Sequence, residues 1–226
     1  MKLHDVAVVG GGPVGSQVAY QLAGLGYRVV VLEQKSRWGE PVCCTGIISR
    51  DCVRAFTIDE SVILRWLNGA RIFSPSGKLL NLWRPEPQAC VVDRAAFNLA
   101  LANRAQGRGV EYELTSPVQG IEVGNDRVSL EVARQGGKSS FIEARAAVLA
   151  TGFGAKLVEK LGLGKASDFV TAAQAEVDTV AIDEVEVYLG QEIAPAFFAW
   201  LVPTSPGKAL VGLLSRTNPA LYLKRL

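Results

Sequence analysis

Four residues near the start of the chain have the types and the spacing needed to bind a nucleotide diphosphate. Gly10, Gly12 and Gly15 form the pattern G-x-G-x-x-G, and Glu33 follows further along the chain. The first glycine allows a tight turn, the second lets the backbone approach a pyrophosphate, and the third lets a helix pack closely on a strand. A carboxylate at Glu33 can accept both hydroxyls of a ribose and would repel a 2′-phosphate. A glycine-rich turn of an unrelated α/β domain is the alternative, but it leaves Glu33 unexplained.

The elements around this pattern would place the four residues together. An apolar strand at Val6–Val9 leads into the glycines, a helical stretch follows, and a second apolar strand at Arg28–Leu32 ends at Glu33. A helix that begins at the glycines directs free N–H groups and a partial positive charge towards a diphosphate. The order strand, glycine turn, helix, strand and acid therefore predicts a dinucleotide-binding α/β unit.

Composition limits the classes of protein to which the chain can belong. The 226 residues are 49% hydrophobic and 20% charged, with a net charge of +2 and no basic run that would indicate nucleic acid as a partner. The apolar runs are far shorter than the roughly 20 residues that span a bilayer. Because the N-terminus leads directly into a strand, we expect no cleavable signal peptide and a cytoplasmic location.

The cysteines do not have the spacing of a metal site. Cys43 and Cys44 are adjacent, Cys52 and Cys90 are distant, and His4 is the single histidine. This arrangement does not match the usual zinc patterns, so we expect no metal and a reducing compartment. His4 precedes the first predicted strand, and we expect it to be a solvated terminal residue.

The remaining pattern predicts two domains. We place one domain at 1–165, with hairpin insertions, and the start of a second, sheet-containing domain at 166–226. An irregular stretch at 34–49 follows the second strand. The other predicted elements are, in chain order, a helix at 51–55, a hairpin at 70–92, a helix at 93–104, strands at 110–115, 118–123, 127–133, 140–145 and 146–150, and second-sheet strands within 170–190 and 197–215.

Several of these segments together resemble a known family. The glycine pattern, Glu33, the segment Asp93-Arg94…Phe97 and the strand end Ala150-Thr151-Gly152 are similar to FAD-dependent oxidoreductases related to p-hydroxybenzoate hydroxylase. The segments 44–49 (CTGIIS) and 198–203 (FAWLVP) narrow the resemblance to the geranylgeranyl reductase family. The resemblance implies an α/β fold with a Rossmann-like FAD-binding domain and a second, antiparallel-sheet substrate domain that is incomplete.

The resemblance and the glycine pattern together nominate site residues. Catalytic roles fall to Cys44 and Trp200, although Cys44 could simply fill space as a small apolar residue and Trp200 could be ordinary sheet packing. Arg37 could contact the adenosine or be a surface arginine, and Arg94 could contact the flavin or pair with Asp93. The nominated cofactor-binding residues are Gly10, Gly12, Pro13, Val14, Gly15, Glu33, Gln34, Arg37, Cys44, Gly46, Arg94, Val118, Thr151 and Gly152.

The activity implied by the resemblance is reduction of isolated C=C bonds in geranylgeranyl chains, on phospholipid precursors or prenyl diphosphates. FAD would supply the hydride, and NAD(P)H or a ferredoxin-like protein would reduce the flavin. An isoprenoid lipid substrate leaves peripheral membrane contact open. The alternatives are a flavin-dependent aromatic monooxygenase of the same fold, and a truncated, non-catalytic nucleotide-binding fragment.

This chain departs from the family pattern in two ways. Phe198 and Val202 replace the family's usual tyrosine and phenylalanine, which puts hydrogen bonding and ring packing at the lipid site in doubt. The family's Gly-Asp segment, which contacts the flavin pyrophosphate and ribityl chain, is expected beyond residue 226. We therefore expect this chain to correspond to the N-terminal half to two-thirds of the enzyme and to be inactive alone, with a separate chain as one source of the remainder.

Overall fold

The computed structural model describes residues 3–39, 44–153, 156–180 and 182–226. Cys43 and part of the predicted irregular stretch at 34–49 lie outside the described residues. The described elements are β1 (His4–Val9), α1 (Pro13–Gly24), β2 (Val29–Leu32), β3 (Ile47–Ser49), α2 (Arg50–Phe56), β4 (Ile63–Leu67), β5 (Gly69–Phe73), β6 (Leu79–Trp83), β7 (Ala89–Val92), α3 (Arg94–Gln106), β8 (Glu111–Glu113), β9 (Val118–Val123), β10 (Val128–Ala133), β11 (Ser139–Leu149), α4 (Lys156–Lys160), β12 (Thr171–Asp178), β13 (Val185–Leu189), β14 (Phe198–Pro203), β15 (Lys208–Ser215) and α5 (Pro219–Leu223).

The chain divides into two compact units, and each is built from two separate segments. Unit 1 comprises 1–41 and 95–167, and unit 2 comprises 42–94 and 168–226. Unit 1 contains a six-stranded sheet in the order β8-β2-β1-β11-β10-β9, in which the first four strands are parallel and the last two are antiparallel to their neighbours. This arrangement confirms the predicted Rossmann-like α/β fold.

The core of unit 1 lies on both faces of its sheet. One face buries Ala7, Val9, Val30, Leu32 and Leu130, whereas α1 covers the other face of β1 and β2. Strands that are buried on both faces are apolar at every position, which explains the uninterrupted VVVL of β2. The exposed fraction of each of its four residues is 2% or less.

The strands predicted at 140–145 and 146–150 form one continuous strand, β11. Its first half pairs antiparallel with β10, and its second half pairs parallel with β1, with Ala144 at the changeover. The sequence changes from alternating to continuously apolar at this point because the second half packs against apolar clusters on both faces of the sheet, with Ala147 and Leu149 on one face and Val148 on the other. A change of neighbour, rather than a turn, therefore explains the change of pattern.

Unit 2 contains a six-stranded sheet and a three-stranded sheet. The six-stranded order is β12-β15-β14-β13-β5-β6, and β3-β7-β4 form the smaller sheet. The larger sheet is antiparallel, as predicted, except that β13 runs parallel to β5. The helix α5 packs on β12 and β15.

The division into units differs from the predicted boundary at 165/166. Residues 42–94 fold with 168–226, because β5 pairs with β13, so that Val185 lies opposite Ala70. The predicted hairpin at 70–92 is also divided. β5 and β6 form a hairpin, whereas β7 joins the three-stranded sheet with β3 and β4. Pairings between segments that lie this far apart leave no periodic signal in either segment.

His4 does not have the predicted solvated environment. It is the first residue of β1 and only 5% exposed, and its Nε2 lies 3.5 Å from a carboxylate oxygen of Glu111. The prediction was wrong because the apolar run indicated a strand that begins at Val6, whereas β1 begins two residues earlier, at His4. Among the described residues, no helix has the length and apolarity needed to cross a membrane.

Candidate functional site

The glycine turn joins β1 to α1, and two of its glycines are required by close packing. Gly10 has φ +105°, and a Cβ there would lie 2.3 Å from the carbonyl oxygen of Ala150. A Cβ at Gly15 would lie 1.9 Å from the carbonyl oxygen of Gly10. Gly15 therefore lets α1 approach the turn, and Gly10 lets the turn approach the end of β11, as the pattern predicts.

Gly12 differs from its neighbours because it faces open space. It is the N-cap of α1, with extended backbone at φ −69°, and a Cβ there would meet no atom within 4 Å. Among the described residues no side chain caps this end of α1, and its first turn contains no acidic residue. Free N–H groups and the positive end of the helix dipole therefore face the space beside Gly12, which fits a diphosphate.

Glu33 is held in place beside the turn. The residue is 8% exposed, and its carboxylate accepts hydrogen bonds from the N–H of Gly11 at 2.6 Å and from the N–H of Lys35 at 2.9 Å. Its own backbone bonds Glu113 and Ser116, so the end of β2 is fixed on both sides. A carboxylate has about four acceptor positions, so two remain for ribose hydroxyls.

These groups line a cleft of about 1090 Å³ in unit 1. The cleft lies at the carboxyl ends of β1, β2 and β11, at the point where strand order reverses on either side of β1. Ligands in open α/β sheets bind at this position. The cleft brings together nine of the nominated residues, namely Gly10, Gly12, Pro13, Val14, Glu33, Gln34, Val118, Thr151 and Gly152.

Other residues of the cleft were not predicted from the sequence. Lys35, Lys156 and Lys160 contribute cations, and Ser116 and Gln119 contribute polar groups. Arg134 donates hydrogen bonds to the hydroxyl of Ser116 at 2.8 Å and to Glu113 at 2.7 Å, and so holds this wall. Lys35 follows Glu33 by two residues, so proximity could have identified it, but the others come from elements without a motif.

Five of the nominated cofactor-binding residues lie outside the lining of this cleft. Gly15 packs behind the turn, and Arg37 is exposed in unit 1. Cys44, Gly46 and Arg94 belong to unit 2, so their flavin contacts stay predictions.

The segment that contains Cys44 is tied to the large sheet of unit 2. Cys44 is exposed, and the adjacent Thr45 donates a hydrogen bond from its hydroxyl to the side-chain Oε1 of Gln174 at 2.7 Å. Gly46 has φ +85°, and a Cβ there would lie 2.5 Å from the carbonyl oxygen of Val92 and 3.3 Å from Cγ of Arg94. The segment 44–46 is therefore anchored to β12 through Thr45 and to the end of β7 through Gly46.

Trp200 lies on the same sheet, two strands from Gln174. Gln174 pairs with Gly212, which in turn pairs with Trp200. A Cβ at Gly212 would lie 2.4 Å from the indole ring, so the glycine makes room for the ring across β15. Within the described part of the chain, the indole N–H is buried without a hydrogen-bond partner. Cys44 and Trp200 are thus connected through a row of three paired strands.

The other described cysteines have different surroundings. Cys90 is fully buried in β7, and burial raises the pKa of its thiol to about 11, with a smaller contribution from Cys52. Cys52 is half-buried in α2. Among the described residues, no group of three or more His, Cys, Asp or Glu side chains could hold a metal ion.

Comparison with known proteins places these features in a family. The model of the FAD dependent oxidoreductases matches residues 5–54 and 54–217. Among similar curated proteins, the digeranylgeranylglycerophospholipid reductase of Methanosarcina acetivorans is 31% identical over 220 residues, which cover 93% of this chain and 54% of that protein. The protein with the same description from Thermoplasma acidophilum is 31% identical over 233 residues, which cover 96% of this chain and 58% of that protein.

Solved structures agree in fold. A geranylgeranyl bacteriochlorophyll reductase-like protein from Thermoplasma acidophilum superposes with a TM-score of 0.90 at 30% identity, covering 100% of this chain and 61% of that protein. A myxobacterial chondrochloren halogenase shares the fold at 18% identity and a TM-score of 0.77. The superposition covers 99% of this chain and 55% of the halogenase. The chain spans little more than half the length of the curated relatives it matches. Because the family model matches nearly its whole length, the chain belongs to the FAD dependent oxidoreductase family.

Proposed function

We propose that this chain forms the FAD-binding and part of the lipid-binding portion of an enzyme that reduces C=C bonds of geranylgeranyl chains on phospholipids. One observation carries the proposal beyond the family. The two segments that resemble geranylgeranyl reductases, at 44–49 and 198–203, lie far apart in sequence, yet Thr45 bonds Gln174 in the row of strands that contains Trp200. The names of the similar proteins from two archaea support the same substrate class.

The cleft of unit 1 would hold the ADP half of FAD. The N-terminus of α1 and the open face of Gly12 would receive the diphosphate, and Glu33 would accept the ribose hydroxyls. Val118 and the end of β11 at Thr151 and Gly152 would border the cofactor. Bound FAD would supply the hydride for one alkene carbon.

Unit 2 would orient the alkene and exclude water. Trp200 lies partly buried on one face of its large sheet, beside the fully buried Val202, and its indole ring would give an isoprenoid a flat apolar contact. The buried N–H of Trp200 is a donor for an oxygen atom of the substrate. The exposed thiol of Cys44 is our candidate for positioning the substrate or delivering the proton to the second alkene carbon.

We further propose NAD(P)H or a ferredoxin-like protein as the source of electrons, and the cytoplasm as the location. The three described cysteines are free thiols, which supports a reducing compartment.

Substitution of Cys44 tests the catalytic part of the proposal. In the complete FAD-loaded enzyme, in which this chain is joined by the remainder of the protein, dithionite is supplied under anaerobic conditions with a digeranylgeranyl phospholipid. There Cys44→Ser should retain flavin and lose most of the saturation of the lipid, measured by mass spectrometry. Cys52→Ser, at a half-buried cysteine of the same unit, should stay close to wild type. Equal rates for Cys44→Ser and wild type would leave Cys44 only a packing role, and a product that forms only with oxygen would instead indicate a monooxygenase.

A further inference from the structure

The end strand of the large sheet in unit 2 exposes an unusual set of apolar side chains. In β6 the exposed fractions are 49% for Leu79, 55% for Leu80, 48% for Leu82 and 59% for Trp83. Successive residues of a strand point to opposite faces, so both faces of β6 present apolar groups. Apolar side chains gathered in this way mark an interaction surface more often than ordinary protein exterior.

The charges around β6 have a single sign. Lys78 precedes the strand and Arg84 follows it, both are exposed, and residues 69–85 contain no Asp or Glu. The third cation of this stretch, Arg71, forms an ion pair with Glu186 of β13, and the next acid along the chain, Glu86, pairs with Arg50. An apolar strand flanked by two cations is complementary to an anionic surface that has an apolar interior.

From these features, we propose that β6 docks on the surface of an anionic phospholipid bilayer. Leu79, Leu80 and Leu82 would enter the acyl boundary, and Trp83 would lie at the headgroup level that tryptophan favours. Lys78 and Arg84 would extend to the lipid phosphates. Because β6 is the outer strand of the sheet, its unpaired peptide groups cannot enter the hydrocarbon, so the strand lies at the interface and does not cross it.

This location would place unit 2 where a substrate with long isoprenoid chains resides. The inference goes beyond the proposed function and does not depend on it, because vesicle binding can be measured without substrate or turnover. If the enzyme reduces the lipid but does not bind vesicles through β6, the proposed function stands and only this inference is wrong.

The test uses sedimentation of the FAD-loaded chain with vesicles of phosphatidylcholine, alone or mixed with phosphatidylglycerol. We expect binding to the mixed vesicles, and about tenfold weaker binding for the double variant Leu80→Ser with Leu82→Ser. The matched control is Val123→Ser with Phe141→Ser, which removes two exposed apolar side chains from the sheet of unit 1 and should bind as wild type does. Circular dichroism verifies that each variant is folded.

Two further measurements separate the contributions. Lys78→Gln and Arg84→Gln should each weaken binding to mixed vesicles about fivefold, whereas Lys138→Gln and Arg145→Gln should not. Brominated acyl chains should quench the fluorescence of Trp83, and the quenching should fall in Trp83→Phe. Equal binding of the β6 variant and its control would overturn the proposal. Light scattering that shows a dimer abolished by the Leu80 and Leu82 substitutions, without vesicle binding, would assign β6 to a second copy instead.

Discussion

At the scale of single residues, the glycine turn separates folding from binding. Gly10 and Gly15 are required by backbone atoms of the protein itself, because a side chain at either position would collide with a carbonyl oxygen. Gly12 has no such neighbour. A side chain at Gly12 would therefore contact only a ligand bound in the cleft. The motif thus contains two glycines required for folding, Gly10 and Gly15, and one required for binding, Gly12.

This difference predicts that replacement by alanine lowers FAD affinity at Gly12 and lowers the stability of the fold at Gly10. Gly12→Ala should fold with a free energy of unfolding close to wild type and bind FAD at least about tenfold more weakly, since a methyl group would occupy the approach of the diphosphate. Gly10→Ala should lower the free energy of unfolding by about 2 kcal/mol or more, because of its positive φ and the contact with Ala150. Urea unfolding and FAD titration measure the two effects. Unchanged FAD affinity in Gly12→Ala would contradict the cofactor site.

At the scale of secondary-structure elements, the sequence predicts what is local and misses what is paired at a distance. The turn, α1, α2 and Glu33 follow from neighbouring residues, and the structure has each of them where the pattern predicts it. The pairing of β5 with β13 and the early start of β1 at His4 depend on partners far along the chain. Lys156 and Ser116 of the cleft escaped prediction for the same reason.

The hydrogen bond between Thr45 and Gln174 is another distant pairing, and it predicts the reactivity of Cys44. Thr45→Val should release the segment at 44–46 from β12 and change the alkylation rate of Cys44 by about two- to tenfold, the range expected for one hydrogen bond. Thr45→Ser retains the hydroxyl and should restore the wild-type rate. Adding Gln174→Leu to Thr45→Val should produce little further change, because both substitutions break the same bond.

Cys90 is an internal reference for this measurement. Its thiol is buried, and its pKa of about 11 leaves only about one thiol in ten thousand ionised at neutral pH, so its alkylation should be negligible there. The thiolate is the reactive form, so its reaction should increase as the pH rises towards 11. Mass spectrometry of the modified peptides distinguishes the two cysteines, and a rate at Cys44 that does not respond to Thr45→Val would show that the bond does not hold the segment.

At the scale of the whole molecule, the two units have separate cores and sheets, and the cleft is formed by unit 1 alone. ADP, the half of FAD that this cleft is proposed to hold, should therefore stabilise unit 1 selectively. At a hundredfold excess over its dissociation constant the expected gain is about 2.7 kcal/mol. Hydrogen exchange should slow in β1, β2 and β11 and stay unchanged in β12 and β15. Slower exchange confined to unit 2 would place the nucleotide site elsewhere.

The pairing of β1 with β11 has a consequence for synthesis of the protein. The strand that leads into the glycine turn finds its parallel partner only at Ala144–Leu149, and Gly10 packs against Ala150. Residues 42–94, which belong to the other unit, emerge from the ribosome before that partner does. The glycine turn near the start of the chain therefore reaches its final geometry only after residues near 150 have been synthesised. Nascent chains should acquire affinity for flavin late and in a single step. Flavin binding by nascent chains of increasing length can therefore be used to detect the pairing of β1 with β11 in unit 1.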